Sequence, residues 1–316
     1  MLSDVSIHLR SLFNTFSSDD KILLGNGSFQ FDSQKFQLIN SGSLHDSSKT
    51  IAFIDGGQAE ILRAGNFIVS FIRVHAQIFA GLQKKDSLRQ EFFLLTHVVC
   101  QDNGLCYKSS IITDEEKLFS EDLLFVSAQH SLLKKGNERA DLSSVVSMAR
   151  RFAELSLARK VVADYIVLDG TMDVTYPGEE QFLSVLGKNI CALAKSSSLL
   201  TMNGNSPAML LHRSGPSEPW VYPLNELTSF VKLHSSARHI FRFEGNREVL
   251  PYLLLHSTDA LFLGYPYGLV FTDRLARVSN QEQKSLFLRL MLDEKNKEIK
   301  EYLTTLDAHS ILDNLS

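Results

Sequence analysis

The apolar residues of this chain change period between residues 49 and 170, and that change limits the folds open to it. KTIAFIDGG (49–57) is an apolar run that reads as a buried strand ending in a glycine turn. NFIVSFIRVHAQIFA (66–80) and EFFLLTHVVCQ (91–101) follow as two more strands. LCYKSSIIT (105–113), beyond an Asp102-Asn103-Gly104 turn, reads as a hairpin partner. From Asp141 to Ala163 the spacing becomes helical, through Leu142, Val145, Val146, Ala149, Phe152, Ala153, Leu157 and Val161. A short strand, YIVLDG (165–170), comes next, and then a second expected helix over Glu179 to Lys195. Adjacent strands followed by helix, strand and helix fit a mixed sheet covered by helices.

Periodicity alone leaves α/β and α+β open; a ribonuclease-H-like core has this order. Around it, residues 5–16 have helical apolar spacing and residues 40–49 form a polar loop. Strands are expected near 227–233, 238–243 and 259–263, and a charged amphipathic helix from Gln281 to Leu306. The expected organisation is one domain over 1–316: an N-terminal helical extension (1–48), the core with insertions (49–280) and a C-terminal helical segment (281–316). The apolar faces of the two terminal helices either pack on the core or await a partner.

The amphipathic start carries Asp4, Asp19 and Asp20 and lacks a secretory pattern, so a cytoplasmic location is expected. Three cysteines make no disulfide framework and no zinc spacing. The net charge of −4, from 32 basic and 36 acidic residues, argues against a passive DNA-coating protein. It argues less against an enzyme whose site needs clustered acids.

Two segments end an apolar run in Asp-Gly: IAFIDGG, with Asp55, and YIVLDGT, with Asp169. A carboxylate at the end of a buried strand sits rigidly at the sheet rim, where α/β folds place ligands. Glycine beside it would let a phosphate or metal approach. A single such motif is equally a strand-ending turn; two on adjacent strands are more pointed. Glu154 lies beside the apolar stripe of the intervening helix, within reach of that rim or of Arg150 and Arg151. Farther on, GYPYG (264–268) makes a turn into a helix carrying Asp273, Arg274 and Arg277. Converging carboxylates repel, which makes divalent cations nearly obligatory. Mg²⁺ and Mn²⁺ favour oxygen ligands, and two such ions roughly 4 Å apart clamp an in-line displacement at phosphorus.

IAFIDGG, ARRFAELSLARKVV, YIVLDGTM, ICALAKSSSLL and GYPYGLVFTDRLARVS occur in the order that resembles the NurA nucleases, and DAHSILDNL (307–315) resembles that family's tail. The resemblance spans roughly residues 50–315. It implies a ribonuclease-H-like fold with N- and C-terminal helical extensions and a homodimer enclosing a DNA path. It also implies a manganese- or magnesium-dependent deoxyribonuclease, a 5′-to-3′ exonuclease with some endonuclease activity. The implied partner is a HerA-type hexameric ATPase that translocates DNA during end resection for recombination repair. Carried over by motif, the metal ligands fall on Asp55, Glu154, Asp169 and Asp273, with Tyr265 as a further catalytic residue. Arg150, Arg151, Lys195, Arg274 and Arg277 are candidate DNA contacts.

The chain departs from the family pattern in two places. Asp55-Gly56-Gly57 stands where Asp-Gly-Ser is usual, and Asp273 stands where the family has His, which alters the ligand chemistry. Two other readings remain: a NurA-like DNA- or translocase-binding subunit without catalysis, and an actin-like phosphotransferase. Against the latter, the first motif lacks an Asp-x-Gly-Thr form.

Overall fold

The computed structural model describes residues 2–13, 20–25, 27–40, 48–102 and 104–306. Helix α1 (Leu2–Phe13) precedes the hairpin β1 (Lys21–Leu24) and β2 (Gly27–Gln30) and the short strand β3 (Gln37–Leu38). Three long strands follow, β4 (Thr50–Arg63), β5 (Phe67–Ala80) and β6 (Gln83–Gln101), then β7 (Gly104–Ile112) and β8 (Val126–Ser127). Next come α2 (Leu142–Lys160), β9 (Tyr165–Asp169), α3 (Glu180–Leu183), β10 (Ile190–Ala194) and α4 (Pro207–Ser214). Strands β11 (Trp220–Pro223), β12 (Thr228–Lys232) and β13 (Phe241–Glu244) lead to α5 (Leu250–His256), α6 (Tyr267–Ala276), α7 (Asn280–Leu292) and α8 (Lys297–Leu306).

Eleven strands form one sheet in the order β3-β11-β12-β13-β10-β9-β4-β5-β6-β7-β8. At its centre β4, β5 and β6 are antiparallel, while β9 lies parallel to β4 and β10 parallel to β9. This is the ribonuclease-H-like core, with α2 as the crossover from the meander to β9. Strand parity sorts its faces. Ala52 and Ile54 of β4, with Ile166 and Leu168 of β9, pack under α2 against Val145, Ala149 and Phe152. Ile51 and Phe53, with Tyr165 and Val167, pack on the opposite face against Leu253 of α5 and Leu269 of α6. Gly268 lets α6 lie close on β4, since a β-carbon there would meet the Phe53 ring at 2.1 Å.

Several elements differ from the expectation. β4 does not turn at Gly56-Gly57: it pairs with β5 straight through them, Gly56 with Val74 and Gly57 with Arg73, and neither takes a positive φ. The helix expected over 179–195 is only the four-residue α3; Ile190–Ala194 is a strand buried on both faces. A central parallel strand shows no polar–apolar alternation, so its apolar run was open to either assignment. Residues 259–263 form turns in place of a strand, with Leu261 85% exposed. The expected C-terminal helix divides at Asp293, whose carboxylate accepts from the Lys295 amide and caps a new turn. Trp220 opens β11, buried edge-on against Phe36. Helix α1 exposes Leu2, Val5, Ile7 and Leu9. The tail DAHSILDNL lies outside the described residues. Among the described residues, no helix is long and apolar enough to cross a membrane.

Candidate active site

Pairing of Ile54 with Leu168 puts Asp55 and Asp169 one step farther along adjacent parallel strands. Both share the parity of Phe53 and Val167 and so face α6. Asp169 is where β9 ends, at the strand C-terminus that parallel sheets offer to ligands. Asp55 instead lies within β4, 8% exposed, and accepts a 2.7 Å hydrogen bond from the Gly56 amide.

Glu154 comes from α2, on the opposite face. It is 4% exposed, and Gly56 makes room for it: a β-carbon at 56 would sit 2.6 Å from Glu154 Oε1. The glycine expected to admit a ligand is therefore filled by a carboxylate of the chain itself. Gly57 does the same for α6, since a β-carbon there would lie 2.2 Å from the Ala276 carbonyl oxygen. Arg73, paired with Gly57 across β5, donates to the Arg277 carbonyl at 3.1 Å and fixes the end of that helix. The second glycine in place of serine is thus matched to the position of α6, which carries Asp273.

Charge is unevenly compensated. Burial and the charges of Glu154 and Asp169 push the Asp55 carboxyl up to about 8, with Asp273 adding a little. Burial also raises Glu154, opposed by Arg150 and Arg151. Arg150 Nη1 is 2.5 Å from Glu154 Oε1, Lys195 Nζ is 2.5 Å from Asp169 Oδ2, and Arg277 Nη2 is 3.0 Å from Asp273 Oδ2. Among the described residues Asp55 alone of the four has no cationic partner of its own.

Tyr265 stands over this group. Its hydroxyl is buried with no hydrogen bond of acceptable geometry, and burial and the charge of Asp169 raise its pKa. Lys195 lies 5.4 Å from its ring centre. Of the other cations expected to meet DNA, Arg150 also donates to the Gly56 carbonyl at 3.1 Å. Arg151 is buried and donates to Glu179 and to the Thr171 carbonyl, facing the interior. Arg274 is exposed, as is Arg277.

The donor set is all oxygen, which suits Mg²⁺ or Mn²⁺, and Asp55 is the buried acid with unneutralised charge. Among the described residues no three Asp, Glu, His or Cys side chains are grouped tightly enough to hold an ion as they stand.

Two contributors escaped sequence reasoning. Glu179, fully buried, accepts from Arg151 and from the Thr175 and Tyr176 amides and pins the loop after Asp169. His75 pairs with Asp55 across β5, buried with both ring nitrogens unpartnered. No sequence signal marks Glu179; His75 would have been marked only by pairing β4 with β5 in register.

No protein-family profile and no curated protein matches the sequence. Among solved structures, the fold is similar to that of the NurA nuclease from Sulfolobus solfataricus, with a TM-score of 0.53 at 13% identity. That match covers 94% of this chain and 96% of the other, and at such identity the likeness is one of fold. An endonuclease V from Ciona intestinalis in complex with DNA matches at a TM-score of 0.39 and 12% identity, over 79% of this chain and 92% of that one.

Proposed function

We propose that this chain is a metal-dependent deoxyribonuclease of the NurA type. The observation that carries the reading is the placement of Asp55 and Asp169 on adjacent central strands with Glu154 inserted over Gly56. A carboxyl pushed to about 8 by burial, and further by two neighbouring acids, is costly for a fold and useful for binding cations. Asp55, Asp169, Glu154 and Asp273 would hold the ions. Mn²⁺ or Mg²⁺ bound there would supply an activated water and neutralise charge developing on the phosphate oxygens.

The remaining work falls to the chain itself. Lys195, half-exposed on its bond to Asp169, can turn its ammonium to a phosphate once a stronger cation takes over that carboxylate. The buried Tyr265 hydroxyl, beside Asp169, would be a hydrogen-bond donor at the same place. Arg150 and Arg151 hold Glu154 from both sides, while exposed Arg274 would meet the backbone of DNA, joined by Arg277 once it leaves Asp273. The finer reading is end resection in recombination repair, 5′-to-3′ with some endonuclease activity, as a homodimer docked on a HerA-type hexameric ATPase. Its support is the order of motifs together with the fold.

A second reading has a specific observation behind it. Three of the four acids are held by protein cations, as expected of a subunit that binds DNA or a translocase without cutting. Incubating the purified chain with linear DNA separates the two. Cleavage that requires Mn²⁺ or Mg²⁺ and disappears in Glu154→Gln supports the nuclease; no cleavage with either ion supports the binding subunit.

A further inference from the structure

Lys195 and Tyr265 also line a cavity of about 600 Å³. That volume falls in the range of small-ligand sites. Its walls bring Lys195, Arg238, His239, Phe241, Phe262 and Tyr265 together, and no carboxylate is among its lining residues. Arg238 is exposed and has no ion pair among the described residues.

The apolar side is equally unusual. Phe262 is 44% exposed although its turn is well ordered: its amide donates to the Asp259 carbonyl and Tyr265 donates back to the Phe262 carbonyl at 2.8 Å. Gly264, at φ +86°, packs this turn on the opposite wall, where a β-carbon would meet Ala237 Cβ at 2.4 Å. An aromatic ring is thus left part-exposed by a hydrogen-bonded turn, in a cavity that an exposed guanidinium also lines. His239 and Phe241 continue the ring surface, their centres 6.3 Å apart.

We infer that this cavity is a nucleotide subsite, receiving one nucleotide of the DNA strand beside the bond to be cut. The inference rests on the nuclease reading and extends it. Arg238 and Lys195 take the phosphate, and the base stacks on Phe262 with His239 at its edge. Stacking on an aromatic face tolerates any base, so the subsite confers grip on the strand and no sequence preference. The unpartnered Tyr265 hydroxyl, in the wall shared with the acids, is where the subsite meets the reacting phosphate. An acidic peptide would satisfy the cations but leave the rings without a planar partner.

The test uses the full chain without divalent ions, so that the acidic cluster repels phosphate, and thymidine 5′-monophosphate as probe. Saturation-transfer NMR should show magnetisation passing from protein to the thymine protons. Phe262→Ala and Arg238→Ala should each weaken binding about tenfold with Tm unchanged, and should raise KM for single-stranded DNA more than they lower kcat. Exposed Phe287, on α7, serves as the control, and Phe287→Ala should bind as the parent does. Absence of probe binding, or equal binding by parent and both variants, overturns the subsite even if DNA is cleaved. Specific probe binding by a chain that never cleaves DNA leaves the subsite standing and overturns the nuclease reading instead.

Discussion

Glu154 Oε1 lies where a β-carbon on residue 56 would have to be, 2.6 Å from that position, so Gly56 and Glu154 are a matched pair across two elements. Gly56→Ala must push Glu154 or Arg150 aside, because the Arg150 side chain is only 3.0 Å from the same point. Overpacking of this kind costs about 1–3 kcal/mol. The expected outcome is a modest fall in Tm with cleavage reduced roughly a hundredfold, since about 1 Å of displacement at a catalytic group has that effect. Unchanged cleavage kinetics would detach Glu154 from the chemistry.

Asp55 is a source of instability in the metal-free protein. Its folded pKa of about 8 lies above the usual 3.8, so its ionised form is penalised on folding. Stability is thus fully kept below pH 4 and lost as pH rises from about 4 through 8. Asp55→Asn should therefore stabilise the metal-free chain near pH 7, by at most about 4 kcal/mol, with the gain vanishing toward pH 4. Saturating Mn²⁺ should raise the parent's Tm and leave that of Asp55→Asn unmoved. Calorimetric scans across this pH range, with and without the ion, check both statements.

Much of the site was legible in the chain because its first three parts rest on strong periodic signals. The β4 run, the α2 stripe and the short β9 run placed Asp55, Glu154 and Asp169 on the correct elements. Gly56 and Gly57 misled as a turn, because glycine in a strand can serve a close contact from a distant helix, and only the packing reveals which. Residues 190–194 misled as a helix because burial on both faces erases alternation, and Lys195 consequently follows a strand. Glu179 and the Arg238–Phe262 cavity were illegible, since their contacts join segments that no local pattern links.

On the proposed metal reading, Lys195 would compete with the ion for Asp169. Its side chain is half-exposed, so the pair is worth no more than about 1 kcal/mol. Lys195→Gln should bind Mn²⁺ up to about fivefold more tightly in the absence of DNA, by calorimetry, because no ammonium has to be displaced. Weaker Mn²⁺ binding would show that Lys195 organises the carboxylate for the ion and does not oppose it.

His256 is expected to make the fold sensitive to acid. It is packed edge-on against Phe53 and Phe79, donates from Nε2 to the Gly81 carbonyl at 3.0 Å, and burial lowers its pKa to about 4. The unfolded chain takes up this proton near pH 6.5 and the folded chain only near 4. Stability should therefore hold above pH 6.5 and fall by about 3 kcal/mol as pH drops to 4. His256→Phe should flatten that part of the profile, measured by urea unfolding in an Asp55→Asn background to remove the opposing trend. An unaltered slope would assign the acid sensitivity elsewhere.

The central claim is that Asp55, Glu154, Asp169 and Asp273 form a metal-binding nuclease centre. Anomalous diffraction from crystals soaked in Mn²⁺ tests it most directly. Manganese peaks are expected in contact with the carboxylates of Asp55 and Asp169, with Lys195 turned away from Asp169. Crystals saturated with Mn²⁺ that show no peak at Asp55, from protein that cleaves DNA in solution, would contradict it.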